Sequence, residues 1–139
     1  MPYVKILLPF LVLGNQQSCS PCKYGWTTFA IQGTKQCFKY IGEKTISSAE
    51  SGCNAVNGIL PVPENSLQNA EYFSAFVKVK GQVHNVALGI NDVKNEGEFV
   101  RANGQKVTYF NWYFAEPNNW NGNEDHVGKF SYFLKLENH

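Results

Sequence analysis

The order of patterns along the chain predicts one α+β domain. Two strand-forming runs flank turn residues in residues 24–42, and two helical patterns follow between residues 47 and 78. Short strand patterns then surround a long polar loop at residues 111–125. The 139 residues suffice for one such domain with its own core and are too few for two.

The composition argues against several classes of protein. Hydrophobic residues make up 43% and charged residues 17%, which is ordinary for a globular domain. The net charge of +1 gives neither a broad basic surface for nucleic acid nor an acidic tail for cationic partners. Charged side chains must therefore act locally.

The N-terminus has the pattern of a targeting segment. Lys5 precedes an apolar run at residues 6–13 that is too short to cross a bilayer as a helix. This predicts a signal peptide at residues 1–14 and a secreted, extracellular domain at residues 15–139. The alternative is a buried N-terminal strand.

The cysteines also fit an oxidising compartment, where disulfides form. Cys22 comes just before the first strand of the 24–42 hairpin and Cys37 starts the second, so a bridge between them would staple its base. Cys19 and Cys22 have zinc-site spacing, but no second such pair and no histidine pair follows.

Both helices have sequence signals at their starts. Ser47-x-x-Glu50 predicts a capping box, and Asn65 or Ser66 predicts the cap of a second helix that runs to about residue 78. The predicted buried face of the first helix consists of Ala49, Cys53 and Val56. The predicted apolar stripe of the second consists of Leu67, Ala70, Phe73 and Val77. After the helices, we expect strands at residues 86–90, 98–101 and 106–110.

Residues 116–125 carry the densest set of oxygen ligands in the chain. Seven of these ten side chains are carboxylates or carboxamides. Ca²⁺ takes six to eight oxygen ligands, which such a loop would supply; the alternative is a loop of good turn formers. A cis Glu116–Pro117 bond would turn the Glu116 and Asn118 side chains toward a common point, whereas a trans bond would fit a solvated turn.

Residues 22–127 resemble the C-type lectin domain family. The matching motifs are Cys-x-x-Gly-Trp, Cys-Phe, Ala-Glu-x-x-Cys, Leu-Gly-Ile, Glu-Gly-x-Phe, Asn-Trp, Glu-Pro-Asn and Gly-Asn-Glu-Asp, which start at residues 22, 37, 49, 88, 96, 111, 116 and 122. The resemblance implies a C-type lectin-like fold, in which two helices flank small antiparallel sheets and a long loop region binds calcium and sugar.

The resemblance also implies particular ligands. The main calcium and carbohydrate site would use Glu116, Asn118 and Glu124. A second calcium site would use Asp92, Glu96, Asn119 and Asp125. In the family, Glu-Pro-Asn goes with sugars whose 3- and 4-hydroxyls are equatorial: mannose, N-acetylglucosamine or fucose. Single-site affinity should be weak, so useful binding should be multivalent.

Three departures from the family bear on function. His126 stands where the family has a cysteine, and residues 128–139 diverge, so we expect the last strands and two ligands of the main site to be missing. Cys53 then lacks its family partner. It could instead pair with Cys19, or form an intermolecular bridge that links an oligomer. The alternating tail would pack as a strand at the exposed edge.

The sequence therefore predicts a calcium-dependent lectin for microbial or cell-surface glycans, as in innate immunity. The alternative is a lectin-fold protein-interaction module that has lost calcium and sugar binding. An enzyme is not expected. The acidic residues Glu116, Glu124 and Asp125 are crowded by asparagines, and no hydrolase or nucleotide-binding motif is present.

Overall fold

The computed structural model describes residues 3–11, 22–81, 85–130 and 135–138. Its core is one six-stranded sheet, in the order β2-β3-β1-β4-β5-β6, with two helices packed on it. The elements are β1 (Tyr3–Leu11), β2 (Thr27–Ile31), β3 (Thr34–Thr45), α1 (Ile46–Asn54), α2 (Ser66–Lys80), β4 (Asn85–Asn91), a 3₁₀ segment (Trp120–Gly122), β5 (His126–Phe130) and β6 (Lys135–Asn138). This architecture confirms the predicted α+β fold. No helix within these ranges is long and apolar enough to span a membrane.

The hairpin and its disulfide are confirmed. Strands β2 and β3 pair antiparallel around Gln32 and Gly33, which both have positive φ angles (47° and 78°). Cys22 and Cys37 are bonded at the base of this hairpin, with a Cα–Cα distance of 5.7 Å. Cys53 is a buried free thiol. Cys19 lies outside the described residues, so its pairing stays open.

Strand β1 comprises most of the apolar run that the sequence predicts to be a signal peptide. It lies in the middle of the sheet, antiparallel to β3 and parallel to β4, where Lys5 pairs with Val86. The same residues would be either a strand of the folded domain or a leader that is removed. The predicted cleavage stays a prediction.

The predicted capping box of α1 is wrong. The helix begins at Ile46, and its N-cap residue is Thr45, whose side chain makes no capping hydrogen bond. Because β3 continues to Thr45 and leads directly into the helix, the cap position falls two residues before Ser47. The predicted buried face is confirmed: Ala49 and Cys53 are buried, and Val56 packs against the same cluster.

The cap of α2 is confirmed, whereas its predicted stripe is confirmed only at Phe73, which packs against the core cluster that contains Phe38, and is wrong at Leu67 and Val77. Asn65 Oδ1 accepts a hydrogen bond from the Gln68 N–H at 2.9 Å. Leu67 is 56% exposed and Val77 39% exposed. The buried positions of this helix are Asn69, Tyr72, Ala75 and Phe76. Both stripes contain apolar residues, and large aromatic rings decide between them, since the Tyr72 ring lies 5.9 Å from that of Phe38.

The predicted strands at 98–101 and 106–110 are also wrong. Here the backbone forms single bridges, from Val100 to Asn91 and to Lys106, because a tight turn interrupts the pairing. The segment instead contributes an aromatic cluster. Trp112 lies 5.1 Å from the Phe99 ring and 5.2 Å from the Phe110 ring, so a packed base supports the start of the polar loop.

The divergent tail forms β6, which confirms the predicted strand for residues 135–138. It pairs antiparallel with β5, and Leu136 is fully buried. Leu136 also bonds to the beginning of the polar loop: its N–H donates to Asn111 O (2.9 Å), and its carbonyl accepts from Tyr113 N–H (2.8 Å). The tail thus borders the loop.

Candidate functional site

The polar loop runs from the aromatic cluster to β5 and contains an unusual backbone. Ala115, Asn119 and Asn121 have positive φ angles of 66°, 44° and 60°. The Glu116–Pro117 bond is cis, one of the two alternatives that the sequence leaves open. Asparagine is among the residues that tolerate the left-handed region best, which explains part of the Asn content of the loop.

The structure brings together the three residues predicted for the main site. The Asn118 side-chain Nδ2 donates to Glu116 Oε1. The Trp120 N–H lies 2.9 Å from Asn118 Oδ1 and 2.7 Å from Glu124 Oε2, so one peptide group joins the other two side chains. Two carboxylates and one carboxamide therefore share one surface cluster.

The electrostatics of this cluster favour a positive charge nearby. Partial burial raises the pKa of Glu116, and the negative charge of Glu124 raises it further. Hydrogen bonds from the backbone N–H groups of Asn138 and Asn118 act in the opposite direction. A cation between the carboxylates would relieve the repulsion.

Strand β6 adds two residues that sequence reasoning missed. Asn138 is 2% exposed, and its Nδ2 donates to Glu124 O at 3.1 Å. Burial raises the pKa of Glu137 to about 7, and the charges of Glu116 and Glu124 contribute. The alternating tail predicts a strand, but only its pairing with β5, which places Asn138 opposite Val127, brings these residues to the site.

The second predicted site is assembled in part. Asp92 is 1% exposed, its N–H donates to Asp125 O at 3.0 Å, and its Oδ2 accepts from Gly97 N–H at 2.8 Å. Desolvation raises the pKa of Glu96, and the neighbouring Asp92 and Asp125 carboxylates raise it further. Three of the four predicted residues thus lie within electrostatic reach of one another.

Asn119, the fourth residue, bonds within the main loop. Its Oδ1 accepts a hydrogen bond from the Glu124 N–H at 3.1 Å. This hydrogen bond places the Asn119 side chain beside the main cluster rather than with Asp92 and Glu96.

The oxygen atoms of both clusters suit a hard cation such as Ca²⁺. Asp92 Oδ1 is buried and has no hydrogen-bond partner among the described residues, and such a carboxylate oxygen is costly unless a donor or cation satisfies it. Within the ranges that the structure describes, no group of three or more His, Cys, Asp or Glu side chains is arranged to hold a metal ion. A cation would therefore need carboxamide, backbone or water oxygens beside the carboxylates.

Comparison with known proteins decides the family. The sequence model of the Lectin C-type domain matches residues 42–129, which include both helices, the segment that carries Asp92 and Glu96, and the whole polar loop. The chain belongs to the C-type lectin domain family. This C-type lectin domain is 33% identical over 94 residues to a tetranectin-like protein of Carcharhinus perezii, with 65% of this chain and 57% of the relative aligned. It is 36% identical over 96 residues to human C-type lectin domain family 3 member A, with 66% of this chain and 48% of that relative aligned.

A third relative is bovine pulmonary surfactant-associated protein D, 33% identical over 89 residues, covering 63% of this chain and 23% of the relative. The C-type lectin domain thus spans about half or less of the length of these relatives. Solved structures show the same fold. C-type lectin CEL-I from Cucumaria echinata superimposes with a TM-score of 0.73 at 21% identity, covering 86% of this chain and 89% of that one. The carbohydrate-recognition domain of cow CD23, solved in the presence of a GlcNAc2Man3 oligosaccharide, gives 0.65 at 26% identity and covers 86% of each chain.

Proposed function

We propose that this C-type lectin domain is a secreted, Ca²⁺-dependent glycan receptor that takes mannose, N-acetylglucosamine or fucose on microbial or cell surfaces. The observation that carries the proposal is the joined cluster of Glu116, Asn118 and Glu124 on one surface loop. Its relatives include surfactant protein D and the CD23 domain solved with an oligosaccharide, which supports a glycan as the ligand.

Each residue of the main cluster has a defined task in this proposal. Ca²⁺, when bound, would offer coordination positions to two neighbouring sugar hydroxyls. The Glu116 and Glu124 carboxylates accept hydrogen bonds from these hydroxyls, and the Asn118 amide donates to them. Since the Asn118 amide donates to Glu116 in the free domain, this pair must open for the sugar.

The second cluster would hold another Ca²⁺ through Asp92, Glu96, Asn119 and Asp125. The unpartnered Asp92 Oδ1 supports this assignment, since it is an anionic oxygen that needs a positive neighbour. Asn119 Oδ1 also accepts from the Glu124 N–H, so a cation held by this oxygen would lie next to the loop that carries Glu124.

Calcium affinity should be in the millimolar range of weaker extracellular modules. Asn138 presents an uncharged amide to the main cluster, so the negative charge that attracts the ion comes from glutamates alone. Glu137 is a further source of charge that interacts with Glu116 and Glu124, but its raised pKa leaves it partly protonated near neutral pH. Waters would complete the coordination shell.

Isothermal titration with calcium, followed by mannose at saturating calcium, tests the proposal. We expect millimolar calcium binding, weak mannose binding, and retention on mannan resin that EGTA reverses. Clustered domains should bind the resin more strongly than single domains. If the folded protein binds neither calcium nor mannan, the proposal is refuted and the protein-interaction module is favoured.

A further inference from the structure

Strand β6 is fixed before it reaches the site. Leu136 is fully buried in the core, and its two backbone bonds to the 111–113 segment hold the strand from one side. On the other side, β6 pairs with β5, and Val127 lies opposite Asn138 in this pairing. The position of Asn138 is therefore set by packed elements rather than by the site loop itself.

Asn138 contacts all three residues of the main cluster. Its Oδ1 accepts from the Asn118 N–H at 3.2 Å, and its Nδ2 donates to Glu124 O at 3.1 Å. Its backbone N–H points to Glu116 Oε2 at a longer 3.4 Å. One buried side chain thus fastens the beginning and the end of residues 116–124 to the sheet.

The chemistry of a carboxamide makes this arrangement possible. An amide carries a donor and an acceptor at the same end, so it can bond an N–H and a C=O at once. A carboxylate at this position would have no donor for Glu124 O. It would also add a negative charge beside Glu116 and Glu124, which a cation would have to offset.

We propose that Asn138 is a positioning residue that holds the 116–124 loop in its binding shape without the help of a bound cation. This inference rests on the proposed function, because it takes residues 116–124 as the glycan site. The hydrogen bonds that hold the loop are made by protein groups alone, so its order should persist when calcium is removed. Sugar binding then needs less ordering of the chain, while the uncharged amide attracts calcium less than a carboxylate would.

The test separates these two effects of the amide. Amide hydrogen exchange at Asn118 and Trp120 is measured by NMR in EGTA for the wild type, Asn138→Asp and Asn138→Leu. Calcium affinity is measured on the same proteins. Asn54→Asp, at the exposed end of α1, is the matched control for adding a carboxylate.

We expect exchange at Trp120 to be at least tenfold faster in both Asn138 variants, since neither can donate to Glu124 O. Exchange at Asn118 should be at least tenfold faster in Asn138→Leu alone, because a carboxylate at position 138 still accepts from that N–H. Both rates should be unchanged in the control. Calcium should bind at least threefold more tightly to Asn138→Asp and no more tightly to Asn138→Leu. Wild-type exchange at Trp120 in Asn138→Asp would overturn the inference, and this variant decides alone if Asn138→Leu does not fold. If the wild type binds neither calcium nor mannose while the exchange differences appear, the proposed function fails and the role of Asn138 stands.

Discussion

The Trp120 N–H donates to Glu124 Oε2 at 2.7 Å, so a single peptide group fixes a carboxylate of the main cluster. The same N–H is 2.9 Å from Asn118 Oδ1. Both acceptors remain when Asn118 is replaced by Asp, because the Asp side chain keeps an oxygen at this place and Glu124 is unchanged. The hydrogen-bonding character of the cluster can therefore be reversed with little effect on its shape.

The first prediction uses this property. In Glu116→Gln with Asn118→Asp, the Gln amide would donate to the Asp carboxylate, which reverses the present pair. We expect mannose binding to fall at least about tenfold and galactose binding to appear, since the order of donor and acceptor toward the sugar is exchanged. Competition on mannan resin measures both sugars.

A charge-neutral control accompanies this swap. Glu71→Gln with Asn54→Asp makes the same exchange on the two helices and should leave sugar preference unchanged. If the site variant keeps full mannose binding, the assignment of this loop as the sugar site is wrong.

The second prediction concerns the buried Asp92. In Asp92→Asn, the side-chain oxygen can still accept from Gly97 N–H, and the amide can donate to Glu96. Because the buried Oδ1 has no partner among the described residues, an amide at this position should stabilise the protein in EGTA by about 1–2 kcal/mol. Added calcium should no longer raise the melting temperature through this cluster.

Thermal unfolding in EGTA and in excess calcium measures both effects. Glu98→Gln, in the same turn but exposed, should change stability by less than about 0.5 kcal/mol and keep the calcium response. A wild-type calcium response in Asp92→Asn would exclude Asp92 as a calcium ligand.

The third prediction is a pH dependence from Glu137. Its folded-state pKa of about 7 lies above the ordinary value, so the folded protein holds this proton more tightly than the unfolded chain. Its contribution to stability is full below the ordinary carboxyl pKa and is lost as the pH rises through about 7. Glu137→Gln should therefore raise the melting temperature by about 2–4 °C at pH 8 in EGTA, and by almost nothing at pH 4.

Melting curves from pH 4 to pH 8 test this sign. Glu71→Gln on α2 serves as the control, and its difference from the wild type should not follow the same pH window. An equal gain for Glu137→Gln at both ends of the range would show that neither burial nor the neighbouring carboxylates raise the pKa of Glu137.

Local patterns predicted much of the fold. The turn after β2, the Asn65 cap and the apolar run at 86–90 each have one strong signal and are confirmed, although the turn contains only Gln32 and Gly33 of the predicted residues 32–35 because β3 begins at Thr34. The α2 stripe failed because two faces were apolar, and the burial of Tyr72 rather than Leu67 depends on the Phe38 ring across the sheet. Such choices are made by tertiary packing and leave no periodic signal.

The same limit applies to the site. The cluster of residues 116–124 lies within one loop, so its members could be named from the sequence. Glu137 and Asn138 reach that loop through the β5–β6 register, and no local pattern specifies which residue of a four-residue strand meets a distant loop. The orphaned Asp92 oxygen likewise depends on how two loops pack.

The fourth prediction is that Cys53 is chemically inert in the folded protein. Burial raises its pKa to about 12, nearby Glu50 contributes, and Lys44 acts in the opposite direction. Since the thiolate is the reactive form, only about one molecule in 10⁴ is reactive at pH 8. In a Cys19→Ser background, iodoacetamide should leave Cys53 unlabelled for hours and label it at once in guanidinium. Rapid labelling of folded protein would contradict this.

The fifth prediction concerns residues 1–14, which are a predicted leader in the sequence and supply the central strand β1 in the structure. β1 pairs with β3 at eight register positions and with β4 at Lys5, opposite the fully buried Val86. Secretion from a eukaryotic cell should give a product that starts near Asn15, as the leader pattern requires. Removal of β1 would leave facing edges of β3 and β4 unpaired.

The mature chain should therefore be less stable than the full chain. Urea unfolding of residues 15–139 and of residues 1–139, both made without secretion, should differ by at least about 2 kcal/mol, because the sheet loses the backbone pairing of a central strand. Addition of a synthetic peptide of residues 1–14 should restore part of the difference, since its strand can re-enter between the two edges. Equal stability of the two chains would mean that β1 contributes nothing to the fold. A secreted product that retains Met1 would mean that residues 1–14 are not a cleaved leader and that β1 stays in the mature sheet.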